Sequence, residues 1–162
     1  MRSLSLKPCH PLGSAVSKEL LQIEIEGDPV AKARPRVCVF KGRAHAFTPQ
    51  KTVTFERFVQ MVAKQAMTEQ NFEKVNRPNG VRLKIESRFS VPKSWTKKEK
   101  LKALGGLKGH TSKPDVDNLQ KAICDALNDV VFDDDSQVEE ASIVKKYSET
   151  AGTTVTIELI ER

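Results

Sequence analysis

Long hydrophobic runs are missing from this chain of 162 residues, of which 38% are hydrophobic and 30% charged. No apolar run approaches the roughly 18 residues of a membrane-spanning helix, so we expect no membrane segment. Only short apolar pieces precede Pro8 and Pro11, which is not the pattern of a secretory signal. The composition is that of an ordinary globular protein with enough residues to bury one core.

Cysteine is also scarce. Cys9, Cys38 and Cys124 are odd in number, widely spaced and outside any paired-cysteine motif. This pattern argues against a disulfide framework and against a structural zinc site. It indicates a reducing, cytoplasmic setting.

What the chain has in quantity is charge, and the charge is unevenly distributed. The net charge is +6, yet between Pro114 and Val138 seven aspartates face a single lysine, Lys121. The remainder of the chain is therefore strongly basic. A basic body around an acidic focus predicts a polyanion bound by the body and a divalent metal bound by the focus.

Hydrophobic periodicity and turn residues predict a mixed α+β (α/β) fold, with a mixed β-sheet and helices packed on one side of it. We expect a flexible N-terminal arm over residues 1–18 and one domain over residues 19–162. The predicted elements are a strand over Leu20–Glu26, a basic hairpin over Val30–His45 turning near Lys41 and Gly42, a helix from Pro49 to about Met67, a strand over Val81–Val91, a helix over Lys97–Leu104 with a Thr96/Glu99 capping box, a helix from Asp117 to about Val130, and a closing hairpin of Ser142–Tyr147 with Thr153–Ile160.

The acidic stretch has an internal order. Apolar residues recur at helical spacing from Leu119 onwards, so the aspartates before them stand at a helix N-terminus. If the chain enters that helix extended, Asp115 and Asp117 project to the same side. Lys121 follows Asp117 at i, i+4 on the same helix face. A third carboxylate can return to this site from the cluster that follows the helix, Asp133, Asp134 and Asp135.

Aspartates without histidine or cysteine ligands suit Mg²⁺ or Mn²⁺ and disfavour Zn²⁺. The chemistry that such a site supports is phosphoryl transfer or phosphodiester hydrolysis. Lys121 adds a cation that can stabilise the transition state. The alternative is an acidic, solvated helix followed by an acidic loop.

The basic residues of the hairpin region are candidates for contact with DNA phosphates, the alternative being a solvated strand face. These residues are Lys32, Arg34, Arg36, Lys41 and Arg43. Lys108 and Lys113 lie in the loop before Asp115, where they can steer a DNA strand. His110 in that loop is a candidate general base, although an exposed loop histidine is the commoner case.

The acidic stretch resembles the RusA family of Holliday junction resolvases. The family's pattern is an Asp-x-Asp-Asn-Leu-x-Lys run, a helix with Asp-Ala-Leu, and then Asp-Asp-x-Gln-Val or Ile. The matching residues are Asp115, Asp117, Asn118, Leu119 and Lys121; Asp125, Ala126 and Leu127; and Asp134, Asp135, Gln137 and Val138. The run Lys32 to Arg36 matches a Lys-x-Arg-Pro-Arg run that the family often has early in the chain.

The resemblance implies metal-binding catalytic roles for Asp115, Asp117 and Asp135, and an essential catalytic role for Lys121. Because Asp133 precedes the family's Asp pair, the third metal ligand is either Asp135 or Asp134. The implied protein is a Mg²⁺-dependent homodimer that makes paired nicks in four-way DNA junctions during recombination and repair. The competing hypothesis is a non-catalytic protein that binds DNA junctions and whose acidic cluster is structural.

Overall fold

A computed structural model of the chain describes residues 20–40 and 42–162, with only the main chain of Arg36 and Phe40. The predicted arm over residues 1–18 and Lys41 lie outside the described residues. In chain order the elements are β1 (Leu20–Glu26), β2 (Arg36–Phe40), β3 (Arg43–Phe47), α1 (Gln50–Gln70), β4 (Gly80–Ser90), α2 (Lys97–Leu104), α3 (Val116–Leu127), a 3₁₀ helix (Asp135–Gln137), β5 (Val138–Ser148) and β6 (Gly152–Ile160). The mixed α+β fold is confirmed. No helix in the described ranges is long and apolar enough to cross a membrane.

The main sheet has four strands in the order β1, β6, β4, β5. The pairs β1 with β6 and β6 with β4 are antiparallel, whereas β4 with β5 is parallel. The predicted hairpin of β5 and β6 is wrong, because β4 lies between these two strands. Strand β5 instead pairs with β4 after a crossover through α2 and α3, which is how two parallel neighbours are connected.

The core lies between one face of this sheet and the helices α1 and α3. Alternate residues of β1 are buried, as the sequence pattern predicts. The core includes Ile23, Leu83 and Ile157 from the sheet, Val59 and Ala63 from α1, and Ile123, Leu127 and Phe132 from α3 and the turn after it. This packing fixes α3, and with it the acidic stretch, against the sheet.

The bounds of α1 and α3 differ from the prediction, and α1 ends at Gln70 rather than near Met67. Helix α1 begins at Gln50 with Pro49 in the capping position, and no side chain caps it. Helix α3 ends at Leu127 rather than near Val130, because Asn128 is extended and Asp129 has a left-handed φ of 61°. The chain therefore turns early, and this turn directs Val131 and Phe132 into the core.

The strands β2 and β3 form a separate antiparallel sheet, which confirms a hairpin here, although its first strand begins at Arg36 and not at the predicted Val30. Val37 and Val39 of this hairpin are 66% and 74% exposed. The segment before it, residues 27–35, has no regular structure and approaches α3 through a hydrogen bond from the Lys32 amide to the Asn118 carbonyl, 2.9 Å long. The basic segment and the acidic helix are thus neighbours.

Candidate active site

The N-terminus of α3 presents two aspartates to solvent. Asp115 occupies the capping position with extended geometry, φ −75° and ψ 150°, and Asp117 lies in the first turn. Both residues are exposed, and neither carboxylate has a hydrogen bond or ion pair with another described residue. The positive end of the helix dipole stabilises negative charge at this position. These carboxylate oxygens are therefore free to take an external ligand.

One side of α3 carries Asp117, Lys121 and Cys124, spaced at i, i+4 and i+7. Lys121 is exposed and has no ion pair among residues 20–40 and 42–162. Burial raises the pKa of the Cys124 thiol to about 11, and the negative charges of Asp135 and Asp125 add to this rise while Lys121 opposes it. The charges of Asp135 and Lys121 thus both act on the Cys124 thiol.

The three consecutive aspartates after α3 have different surroundings. Asp133 pairs with Lys74 at 2.8 Å. Asp134 caps the 3₁₀ helix by accepting a hydrogen bond from the Ser136 amide at 3.0 Å, and its carboxylate is 3.7 Å from Arg77. Asp135 is exposed, and its carboxylate has no partner in the described part of the chain. Of the two candidates for a third ligand, Asp135 is the one whose oxygens are free.

Buried Gln137 organises this turn. Its side-chain oxygen accepts hydrogen bonds from the amides of Asp133 and Asp134 at 2.8 and 3.2 Å. Its side-chain nitrogen donates to the carbonyls of Val75 and Asn79 at 3.2 and 2.9 Å. The sequence motif includes Gln137, but no local pattern showed that this side chain fixes the acidic turn from inside the fold.

Asp115, Asp117 and Asp135 do not form a closed ligand cage. Among the residues that the structure describes, no three His, Cys, Asp or Glu side chains are grouped closely enough to hold a metal ion. Mg²⁺ does not require such a cage, because it is often held by one or two carboxylates together with water and substrate phosphate. The free carboxylates at the α3 N-terminus fit that open type of site.

A groove of about 950 Å³ runs beside Asp115, between the segment 29–34, the start of α1 and the N-terminus of α3. Its cationic lining residues are Lys32, Arg34, Lys51 and Lys113. Three of these were predicted as DNA contacts. Lys51 was missed, although its place in the first turn of α1, close in sequence to the basic hairpin, was a usable signal. The groove is suited to a phosphodiester backbone that passes the aspartates.

Lys145, on strand β5 of the sheet, anchors the loop before Asp115. Its ammonium group donates hydrogen bonds to the carbonyls of Ser112 and Pro114 at 2.7 and 2.8 Å. The second hydrogen bond is to Pro114, the residue before Asp115, so it restrains the backbone from which the Asp115 side chain extends. This role was not predictable from the sequence, since a lysine that alternates along a strand is normally solvated.

The remaining cations are spread around the site. Arg43 is exposed on β3, and the Lys108 ammonium lies 3.6 Å from the centre of the Trp95 ring. Lys41 and the Arg36 side chain lie outside the described residues. Lys32 differs from the others because it is paired with two carboxylates, Glu56 and Asp125.

His110 is half-buried rather than an exposed loop residue. Its ring stacks on Phe89 with ring centres 3.9 Å apart and lies 4.9 Å from Tyr147. Burial, with the nearby charge of Lys145, lowers its pKa. The stacking places His110 in an aromatic cluster that packs against the loop before Asp115.

Comparison with known proteins finds a matching family. The model of the family described as endodeoxyribonuclease RusA matches residues 26–158, a range that includes the groove, α3 and the acidic turn. The uncharacterized protein YqaN of Bacillus subtilis (strain 168) is 37% identical over 131 residues, which cover 81% of this chain and 90% of that protein.

Proposed function

The chain belongs to the RusA family of endodeoxyribonucleases, and on that premise we propose that it is a Mg²⁺-dependent resolvase that cuts four-way DNA junctions in recombination and repair. The observation that carries this proposal is the carboxylate pair at the start of α3, Asp115 and Asp117, which has no partner among the described residues and of which Asp115 lines a cationic groove. Without a bound metal ion, unpaired carboxylates beside a groove that attracts phosphate would only repel the phosphate.

The residues that would hold the metal are Asp115, Asp117 and Asp135, with Mn²⁺ as a possible substitute for Mg²⁺. The chemistry supplied by the bound ion is polarisation of a phosphate oxygen and acidification of a coordinated water. Lys121, one turn along α3 from Asp117, places a cation near the phosphate and opposes the charge that develops there. The hydrogen bond from Lys145 to the Pro114 carbonyl restrains the backbone next to Asp115.

The groove cations Arg34, Lys51 and Lys113 would bind backbone phosphates and hold the scissile strand across the aspartates. Arg43 and Lys108, together with the predicted contacts Arg36 and Lys41, extend this positive surface. Each phosphate contact adds to the salt dependence of binding without reading sequence.

Paired nicks require two equivalent sites related by a two-fold axis, so the proposed active form is a homodimer. A four-way junction has matching symmetry, which lets each subunit address one of two opposed strands. The proposed location is the cytoplasm, in keeping with three widely spaced cysteines that form no paired-cysteine motif in the sequence.

The second candidate, junction binding without cleavage, is favoured by one observation. The described residues do not bring three ligand side chains into one cluster. If no metal site forms, the basic groove would bind DNA while Asp115 and Asp117 took no part in catalysis. Cleavage in the presence of Mg²⁺ decides between the two functions.

The test uses a synthetic four-way junction with Mg²⁺, with EDTA, and with the variant Asp117→Asn. We expect symmetric nicks only with Mg²⁺ and wild-type protein, a loss of about 10³-fold or more in Asp117→Asn, and equal or tighter junction binding because a charge facing the phosphate is removed. The matched control is Asp129→Asn, which removes an exposed aspartate beyond the end of α3 at a φ that asparagine tolerates. Binding without cleavage by the wild type at every divalent metal concentration would establish the second function instead.

A further inference from the structure

Lys32 joins three elements of the fold through its side chain. Its ammonium nitrogen is 2.5 Å from the Glu56 carboxylate of α1 and 2.8 Å from the Asp125 carboxylate of α3. The three side chains are only 21%, 19% and 24% exposed. Ion pairs with this degree of burial are screened less by salt than surface pairs.

The main chain of the same residue makes a second link to α3. The Lys32 amide donates to the carbonyl of Asn118, which follows Asp117 directly. The side-chain link to Asp125 lies about two turns further along the helix. Two attachment points separated along α3 fix both the position and the direction of the segment 29–34.

The charges around Lys32 argue against a direct contact with DNA. Burial lowers the pKa of Lys32, but hydrogen bonds and charges from Asp125 and Glu56 outweigh it and the pKa is raised. Two carboxylates share one ammonium, so the cluster is negative overall. Moving the ammonium to a phosphate would leave both acids unpaired beside a polyanion, which is unfavourable.

We infer that Lys32, Glu56 and Asp125 form a positioning clamp, which holds the groove segment 29–34 at a fixed distance from the aspartates at the start of α3. Lys32 is then a positioning residue and not a phosphate contact. The inference rests on the proposed function, since the clamp matters for cleavage only if the groove carries the scissile strand. Within the groove, Arg34 is two residues from the clamp and is the cation whose placement it controls.

The first test separates positioning from phosphate contact by salt dependence. Junction binding is measured in EDTA over a range of salt concentrations for wild type, Lys32→Met and Arg34→Met. A lost phosphate contact lowers the magnitude of the slope of log Kobs against log salt by about 0.9. We expect that decrease for Arg34→Met and an unchanged slope for Lys32→Met; a decrease of about 0.9 for Lys32→Met overturns the inference.

The second test measures cleavage in single turnover at saturating junction and Mg²⁺, at a temperature where the variants are folded. We expect Lys32→Met and Asp125→Asn each to lower the rate constant about tenfold, because displacement of about 1 Å can cost up to 10²-fold. The rate constant of the double variant should fall no further than that of either single variant, since both substitutions disrupt the same clamp. Lys84→Met, at an exposed position of β4, is the neutral control. A loss of thermal stability with an unchanged rate constant, or additive losses, would show a merely structural role.

A third measurement does not depend on nuclease activity. Amide hydrogen exchange of residues 30–34 should accelerate at least tenfold in Lys32→Met and in Asp125→Asn, while exchange in β4 stays unchanged. Lys32→Arg, which can still bridge two carboxylates, should restore slow exchange. If the wild type neither binds nor cuts junctions, the proposed function fails, whereas unaltered exchange at 30–34 in both variants refutes the clamp itself.

Discussion

At the entry to α3, Asp115 and Asp117 face solvent and have no partner among the described residues, whereas after its exit Asp133 pairs with Lys74 and Asp134 caps a 3₁₀ helix. Both turns are rich in aspartate and both flank one amphipathic helix. They differ in what surrounds the carboxylates. In the described part of the chain, the entry turn borders a cationic groove without forming an ion pair with it, while the exit turn is held by the pair of Asp133 with Lys74 and by the Asp134 cap.

This difference teaches that the number of acidic residues does not measure the capacity to bind metal. A carboxylate already engaged by an ammonium or a backbone amide must lose that partner before it can coordinate an ion, and the loss costs free energy. In the exit turn Asp135, which has no partner among the described residues, avoids this cost. The proposed site therefore draws two carboxylates from the entry and one from the exit.

The largest effect expected within the exit turn distinguishes two neighbouring aspartates. Asp135→Asn should lower the single-turnover cleavage rate by about 10²–10³-fold, because a free metal-binding oxygen is lost. Asp134→Asn should change it less than about threefold, because asparagine still caps the 3₁₀ helix and the pair with Arg77 at 3.7 Å is weak. The measurement is junction cleavage at several Mg²⁺ concentrations.

Equal losses in the two variants would mean that the cap is secondary and that the exit turn rearranges when metal binds. The reverse order, with Asp134→Asn inactive and Asp135→Asn active, would assign the third ligand to Asp134. Either result would break the division between engaged and free carboxylates on which the comparison depends.

The order and type of elements were largely predictable, because they follow from local patterns. Strand β1 and helix α2 with its capping box match their predicted bounds. The pairing of β5 with β4 was not predictable, since strand order depends on contacts between distant residues. The early end of α3 was also hidden, because Val130 continues the apolar pattern although the chain has already turned.

The candidate site was likewise predictable only in part. The motif identified which aspartates to consider, whereas their availability depends on partners far away in the sequence. Lys74 pairs with Asp133 at the acidic turn, and Glu56 reaches Lys32 from the second turn of α1. Nothing in the basic run around Lys32 indicates that one of its cations is internally paired. Side-chain pairing across elements is the information that only the fold supplies.

A smaller effect is expected from the residue that holds the exit turn together. Gln137→Ala should lower the free energy of unfolding by about 2–3 kcal/mol, because buried amides and carbonyls lose their hydrogen bonds. Urea denaturation followed by circular dichroism measures this change. The control Gln120→Ala, in α3 and without a partner in the described residues, should change it by less than about 0.5 kcal/mol. A loss in Gln137→Ala as small as that of the control would show that the turn keeps its shape without this side chain.

The smallest expected effect is a change in acid stability at Asp133. The hydrogen bond from Lys74 holds the pKa of Asp133 below its ordinary value of 3.8, with the Arg77 amide and the charges of both residues adding to the effect. A carboxyl whose pKa is lower in the folded state stabilises the fold above its unfolded pKa, and this contribution is lost as the pH falls through the folded pKa. Thermal unfolding followed from pH 7 to strongly acidic pH should therefore show a slightly smaller fall in Tm for Asp133→Asn than for wild type, with the difference arising below about pH 5.

Asp129→Asn, which removes an exposed aspartate without an ion pair in the described ranges, should follow the wild-type curve. If both variants flattened the curve equally, Asp133 would be no more engaged than a solvated aspartate, and the contrast between the two ends of α3 would rest on Asp134 alone.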